Sequence, residues 1–537
     1  MIQDPIRIGL DSGWKAIDAA RLDRPLALEA DVAIIGSGAG GGVTAEILSA
    51  AGLKVVILEE GPFASSSEFR MREREAYPRL YQDSAARQTG DKAITIFQGR
   101  SVGGSTTVNW TSSFRTPPAT LGHWTRAYGL KTVGPGALDP WFARMEERLS
   151  IAPWPVAPNE NNDILRRGCE KLGIASGAIL RNVKGCWNLG YCGMGCPTNA
   201  KQSMLVTTIP AALAKGATLV HRARVTTLEI RGDRVVACEA RGVEGNGAAL
   251  GPHRLRIAAR HFVLAAGGIG TPAILLRTRA PDPHLVVGRR TFLHPTLVSG
   301  ATMAQKVAGY QGAPQTIYTD HFQDTVPLEG PMGFKLEAAP VHPILAGITL
   351  PGFGEAHADW MKSLDRANVL VALLRDGFDP RSPGGRVRVR ADGSPVLDYP
   401  IGDYTWEAVR RAYLAMAEIQ FAAGAQTVFP MHENARAVGS WREARSMIEA
   451  LPMRALAARV FTAHVMGGCP MGPDPGRAVV DEACRHHQLA NLSIHDGSVF
   501  PTSLGSNPQL SIYALTARAA VGLAAALGKP VPGVTAA

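Results

Sequence analysis

One stretch decides the fold. Asp31-Val32-Ala33-Ile34-Ile35 is an apolar run of strand length, and Gly36-Ser37-Gly38-Ala39-Gly40-Gly41-Gly42 follows it directly. A helical pattern then runs through Ala45, Ile47 and Leu48 and stops at Gly52, a residue suited to a helix C-cap. Lys54-Val55-Val56-Ile57-Leu58-Glu59 reads as a second buried strand. In that strand–turn–helix–strand setting, Gly36-x-Gly38-x-x-Gly41 is a dinucleotide fingerprint. Its glycines permit a tight turn and close backbone approach, and the helix N-terminus faces a pyrophosphate. Glu59 stands 23 residues after Gly36, where a carboxylate accepts hydrogen bonds from ribose hydroxyls. Taken alone the glycines could be an incidental turn; both strands and the acid argue against that. The motif does not separate FAD from NAD.

Further glycine-rich loops lie outward from this unit. Residues 98–110, Gln-Gly-Arg-Ser-Val-Gly-Gly-Ser-Thr-Thr-Val-Asn-Trp, place small residues beside hydroxyl and amide groups, so backbone N–H groups can approach an anion or a flat ring. Residues 219–229 read as a strand before a turn at Arg231-Gly232-Asp233, and residues 261–272 as a strand running into Ala265-Ala266-Gly267-Gly268. From about 293 to 451 the glycine motifs thin out. Alternation at Val387-Arg388-Val389-Arg390 before Ala391-Asp392-Gly393, and a helical pattern over 406–423, predict a separate sheet-and-helix region. The C-terminal part carries Ala463-His464-Val465-Met466-Gly467-Gly468-Cys469-Pro470, then His495-Asp496-Gly497-Ser498, then Gly505-Ser506-Asn507-Pro508-Gln509.

Composition bounds the reading. The chain has 537 residues, 46% hydrophobic and 19% charged, which excludes a disordered tail or a small disulfide scaffold. Glycine, at 58 residues, is about 11% against a usual figure near 7%. The net charge of +10 is spread without a basic stripe, so nucleic acid is not an expected partner. No apolar run reaches the roughly 18–20 residues of a membrane span, and residues 1–28 lack an apolar signal core. With seven cysteines, these features lead to the expectation of a reducing, cytoplasmic setting.

The N-terminal fingerprint, Gly103-Gly104-Ser-x-x-x-Asn109, Ala265 to Gly268 and the C-terminal triplet together resemble the glucose–methanol–choline (GMC) flavoprotein oxidoreductases over nearly the whole chain. Within that family, His-x-x-Gly-Gly-Cys with Asp-Gly-Ser and Asn-Pro is most similar to cholesterol oxidases and long-chain alcohol oxidases. The resemblance implies FAD. It also implies an α/β (α+β overall) architecture in which a Rossmann-like FAD-binding domain interleaves with a substrate domain built on an antiparallel sheet with helices. The expected division is 1–292 and 452–537 for FAD, with 111–200 an inserted loop segment, and 293–451 for substrate.

The expected FAD contacts are Gly36, Ser37, Gly38, Ala39, Gly41, Glu59 and Glu60 at the ADP half. By resemblance, Val225 offers backbone to adenine; Gly103, Gly104, Asn109, Gly267, Asp496 and Gly497 lie along the pyrophosphate and ring; and Asn507 and Pro508 stand at the flavin ring.

Oxidising an alcohol sends a hydride to flavin N5 and a proton to a base. A histidine suits the second task, and His464 is the expected acceptor. Asn507 cannot titrate and is expected to orient the alcohol oxygen. His294, His486, His487 and His495 are read as capping, surface or packing residues.

Cys186, Cys192 and Cys196 stand at C-x5-C-x3-C-P spacing in a glycine-rich loop. Such thiolates can ligate an iron–sulfur cluster, and the spacing resembles that of GMC dehydrogenases with a three-iron cluster and a haem partner. Similar loops occur in long-chain alcohol oxidases without one; the loop is read here first as structural, with an iron–sulfur cluster, zinc or a disulfide left open and no metal assigned. The electron acceptor is expected to be oxygen or an acceptor protein or quinone. Two alternatives are an iron–sulfur dehydrogenase with partner subunits and a non-redox member of hydroxynitrile-lyase type.

Overall fold

The computed structural model describes residues 3–245 and 247–531. The fingerprint strand runs over Leu26–Ile35, five residues longer at its start than the apolar run suggests. The extra residues alternate in burial, as expected of a strand with one wet face, and only Val32 to Ile35 are buried on both sides. Its neighbours are parallel: Ile35 lies opposite Leu58 of Val55–Glu59 on one side and opposite Leu264 of Ala249–Leu264 on the other. Leu492–Ile494 joins the same edge, with Ile494 opposite Leu264. Three glycine-bearing turns, at residues 36, 265 and 496, therefore emerge at one end of one sheet, although some 460 residues separate the first from the last. An antiparallel pair, Ala223–Arg231 and Arg234–Glu244, extends the sheet and contains the expected turn at Gly232.

A second sheet is mainly antiparallel. Its middle is Thr296–Met303, Ala367–Leu374 and Phe334–Ala338, and the helix Asp403–Ala422 packs behind it in a separate apolar core. It also takes Ile94–Ile96, Gly177–Ala178 and Val460–Thr462, which lie outside residues 293–451. A small four-stranded sheet bridges the two halves. In it Arg289–Leu293 runs antiparallel to Val465–Gly467, with Leu293 opposite Val465. The next position out on that ladder sets His294 against His464. Among the described residues no helix is long and apolar enough to cross a membrane.

Candidate active site

A cleft of about 1240 Å³ runs between the two large sheets. That exceeds the roughly 300–1,000 Å³ of a single small-molecule pocket, so it has room for a dinucleotide and a substrate together. Of the predicted cofactor residues, Gly36, Gly38, Ala39, Glu59, Glu60, Gly104, Asn109, Val225, Gly267, Asp496, Gly497, Asn507 and Pro508 all line it, and so does His464. Ser37, Gly41 and Gly103 stand behind the wall.

The fingerprint turn is held from behind. Gly36 has φ +107°, and a Cβ there would lie 2.2 Å from the Ala265 carbonyl oxygen. Gly104, at φ +54°, would put a Cβ 2.7 Å from Gly38 Cα, so two glycine loops meet backbone to backbone. Ser37 joins them. Its N–H (3.0 Å) and hydroxyl (2.6 Å) donate to Glu59 Oε2, while its Oγ accepts from Gly103 N at 3.0 Å. Glu59 Oε1 accepts from Gly61 N at 2.8 Å. Three of the roughly four acceptor positions of that carboxylate thus hold the loop itself. Asp496 does similar work: it accepts from Gly267 N (2.9 Å), Thr271 Oγ1 (2.6 Å) and Ser498 N (2.8 Å). Glu60 pairs with Arg224 at 3.0 Å; burial opposes its ionisation, yet Arg224 holds it below its ordinary value. Val225 gives its carbonyl to Arg277 Nη2 at 3.2 Å.

At the other end lies a corner of buried polar side chains. Gly505 N–H donates to His294 Nε2 at 3.1 Å, so the His294 proton sits on Nδ1. From there it donates to His464 Nδ1 at 3.0 Å, which leaves the His464 proton on Nε2. Burial, with the Lys335 ammonium nearby, pushes His464 down to about 4, so the ring is neutral near pH 7. His294, read from sequence as packing or capping, is instead the group that sets the tautomer of His464.

Asn507 Nδ2 reaches Glu337 Oε2 at 3.4 Å. Glu337 is fully buried, and burial pushes its carboxyl up to about 7 against the lowering influence of Lys335 and Asn507. Lys335, two residues earlier on the strand Phe334–Ala338, is also buried. It bonds Asp320 at 2.8 Å and lies 3.6 Å from the Phe114 ring centre and 4.3 Å from that of Tyr318. Sequence reading missed Glu337, Lys335 and His294. The available signal was Phe334-Lys-Leu-Glu-Ala, two charges at alternate positions of an otherwise apolar strand.

The three loop cysteines have cationic neighbours. Arg181 Nη2 is 3.7 Å from Cys192 Sγ, and Lys201 Nζ donates to the carbonyls of Cys192 (2.6 Å), Thr107 (2.8 Å) and Asn109 (2.7 Å). The loop is thereby tied to the Gly103–Asn109 turn. Among the described residues no three His, Cys, Asp or Glu side chains are arranged to hold a metal ion.

A glycine cradle on a parallel sheet, opening onto a chamber under an antiparallel sheet, defines a nucleotide-cofactor oxidoreductase. Family models described as GMC oxidoreductase match residues 77–296 and 380–516. An uncharacterized GMC-type oxidoreductase of Mycobacterium tuberculosis is 30% identical over 496 residues, 92% of this chain and 75% of the relative. Long-chain-alcohol oxidase FAO4A of Arabidopsis thaliana is 27% identical over 512 residues, 92% and 68% of the two chains. Among solved structures, pyridoxine 4-oxidase from Mesorbium loti superposes with a TM-score of 0.66 at 18% identity, covering 91% of this chain and 98% of its own. The chain belongs to the GMC oxidoreductase family, and it is an FAD-dependent oxidoreductase acting on CH–OH groups.

The residues present fit FAD. The backbone at Gly36, Gly38 and Gly104 is open to a pyrophosphate, and the amide oxygens of Asn109 and Asn507, both on cleft-lining residues, are buried without a partner. Such orphaned acceptors suit donors on a bound ring.

Proposed function

We propose that this chain oxidises a hydrophobic primary or secondary alcohol to the aldehyde or ketone. The observation that carries the substrate class is the apolar chamber beside His464 and Asn507, walled by Val298, Val341, Val369, Val371, Leu373 and Phe461. Few polar groups there could bond a sugar's several hydroxyls, and leaving them unpaired would be costly. FAD, when bound, supplies the acceptor for the hydride that leaves the carbinol carbon. The alcohol's other hydrogen departs as a proton.

The side-chain geometry supports a changed division of labour for that proton. A His464 whose Nε2 already carries hydrogen donates to the alcohol oxygen and orients it. It accepts no proton there unless the His294–Gly505 chain is broken. Asn507 stands between the chamber and Glu337 and is the second group in place to hold the oxygen. Glu337, poised near the operating pH, lies off the cleft wall behind Asn507, and its Oε1 is buried without a partner; it takes the proton through a water that bridges this oxygen to the alcohol. We thus assign the proton to Glu337 in place of the His464 expected from sequence. Residues 293–451, with the short strands from outside that span, form the substrate side. The FAD contacts are those named above: Glu59 acts mainly by holding its loop, and Val225 presents backbone to the adenine.

A panel of aliphatic, aromatic, sterol and sugar alcohols with an artificial electron acceptor tests the substrate class. Preference for apolar alcohols is expected; preference for sugars overturns it. The physiological acceptor, oxygen or a protein or quinone, is read by repeating the assay with oxygen alone.

A further inference from the structure

The chamber is closed on its outer side by a cap of two short helices, Pro343–Thr349 and Gly354–Lys362, tied together where His357 Nε2 meets the Gly347 carbonyl at 3.1 Å. Leu345, Ala346, Thr349 and Trp360 form its inner face and line the cleft. Its outer face is also apolar. Ile344 and Ile348, at i and i+4 and hence on one face of the helix, are 41% and 55% exposed, and Phe353 in the connection is 93% exposed.

Two neighbouring segments extend this face. The Glu73 carboxylate accepts from Ile344 N (2.7 Å) and Leu345 N (2.9 Å), which brings residues 70–74 alongside. There Met71 is 38% exposed among the exposed Arg70, Arg72 and Arg74. On the cysteine loop, the Gly190 carbonyl accepts from His342 Nε2 at 3.3 Å, and Trp187, three residues earlier, is 63% exposed beyond the exposed Lys184. Five of the eleven large apolar side chains exposed among the described residues therefore belong to the cap and the two segments bonded to it. Concentration of this kind marks a contact surface. Arg70, Arg72, Arg74, Lys184 and Lys362 outnumber Glu73, Glu75, Glu355 and Asp359, and Glu73 spends its carboxylate on the cap's backbone, so the exposed face is net cationic.

We propose that this face docks on an anionic lipid bilayer, and that an apolar alcohol dissolved in the bilayer enters the chamber under the cap. The proposal rests on the hydrophobic-alcohol reading and deepens it. Aromatic and aliphatic tips set among arginines match the boundary between headgroups and acyl chains, where the rings and alkyl groups bury and the guanidiniums meet phosphates. A second copy of this chain seated symmetrically on the same face would oppose like charges, which disfavours it as the occupant. Attachment would be peripheral, since no described helix can span a membrane.

The test is co-sedimentation of the FAD-loaded protein with vesicles of phosphatidylcholine alone or mixed with phosphatidylglycerol. It is made for wild type, Ile348→Ser/Phe353→Ser and Arg70→Gln/Arg74→Gln. None of these residues lines the cleft, so flavin absorbance and turnover of a short water-soluble alcohol should stay at the wild-type level in both variants. Wild type is expected to bind mixed vesicles, less so in high salt, and each double variant to lose about tenfold in partitioning. Wild type left in the supernatant with both vesicle types, or variants that bind as wild type does, would overturn the proposal. So would self-association by light scattering that both variants abolish, without vesicle binding. Binding is read without turnover, so failure of the alcohol reading and failure of docking give separate results.

Discussion

The two ends of the cleft are built on opposite principles. At the fingerprint end the working atoms are backbone N–H groups, and the side chains mostly hold loops: Ser37, Glu59 and Asp496 spend their hydrogen bonds on neighbouring turns. At the chamber end the working atoms are titratable side chains, the half-buried His464 with the buried His294, Glu337 and Lys335, brought together from three separate segments. The first end tolerates almost no added volume; the second tolerates little change in charge. A substitution at one should therefore damage cofactor retention, and at the other the rate and its pH dependence.

The largest effect should come from Glu337→Gln. Removing the proton's destination should lower kcat/KM for the best alcohol by about 10²–10⁴-fold, with FAD content unchanged. Wild-type activity should rise with pH through about 7 as Glu337 ionises, and the variant should lose that rise. A variant of near-normal rate would break the contrast between the two ends.

His464→Ala comes next. Loss of the Nε2–H donor should cost about 10²–10³-fold in kcat, again with FAD bound. Persistence of the rise near pH 7 in this variant would sharpen the division of labour between His464 and Glu337; its disappearance would return the proton to His464.

At the opposite end, Gly36→Ala meets the Ala265 carbonyl at 2.2 Å and an unfavourable φ of +107°. The strain alone costs about 1–3 kcal/mol. The expected readout is protein purified with less flavin per chain and a lowered melting temperature, measured by absorbance and thermal shift. Full flavin occupancy would contradict the backbone-cradle account.

The smallest effect should be that of Lys335→Met. Its ammonium favours the ionised form of Glu337, so removing it raises the Glu337 pKa, and the rise of activity should move to higher pH. Stability is read in parallel, because the replacement also removes the ion-pair partner of Asp320, which then keeps the Gln323 Nε2 donor at 2.7 Å on its side chain.

The same contrast explains what could be read from sequence. The cofactor end is contiguous: strand, glycines, helix, strand and acid lie within residues 31–59, and each type follows from steric need at a fixed spacing. Asp31 to Ile35 was too short only because the first half of Leu26–Ile35 is wet on one face. The reaction corner is a property of registers between distant strands. His294 meets His464 because Leu293 pairs with Val465, and neither sequence neighbourhood announces that pairing. Glu337 carried a faint signal as a charge in an apolar strand, yet its proximity to Asn507 needed the fold. The second sheet likewise drew strands from 94–96, 177–178 and 460–462, each too short to show a period.

The most direct test of the account is the anaerobic rate of flavin bleaching by a long-chain alcohol, followed by stopped flow across pH for wild type and Glu337→Gln. The account predicts full bleaching in wild type, at a rate that climbs with pH through about 7, and a slow rate without that climb in the variant. A flavin that stays oxidised with every alcohol offered, as a lyase-type member would leave it, or a variant that bleaches at the wild-type rate, would contradict it.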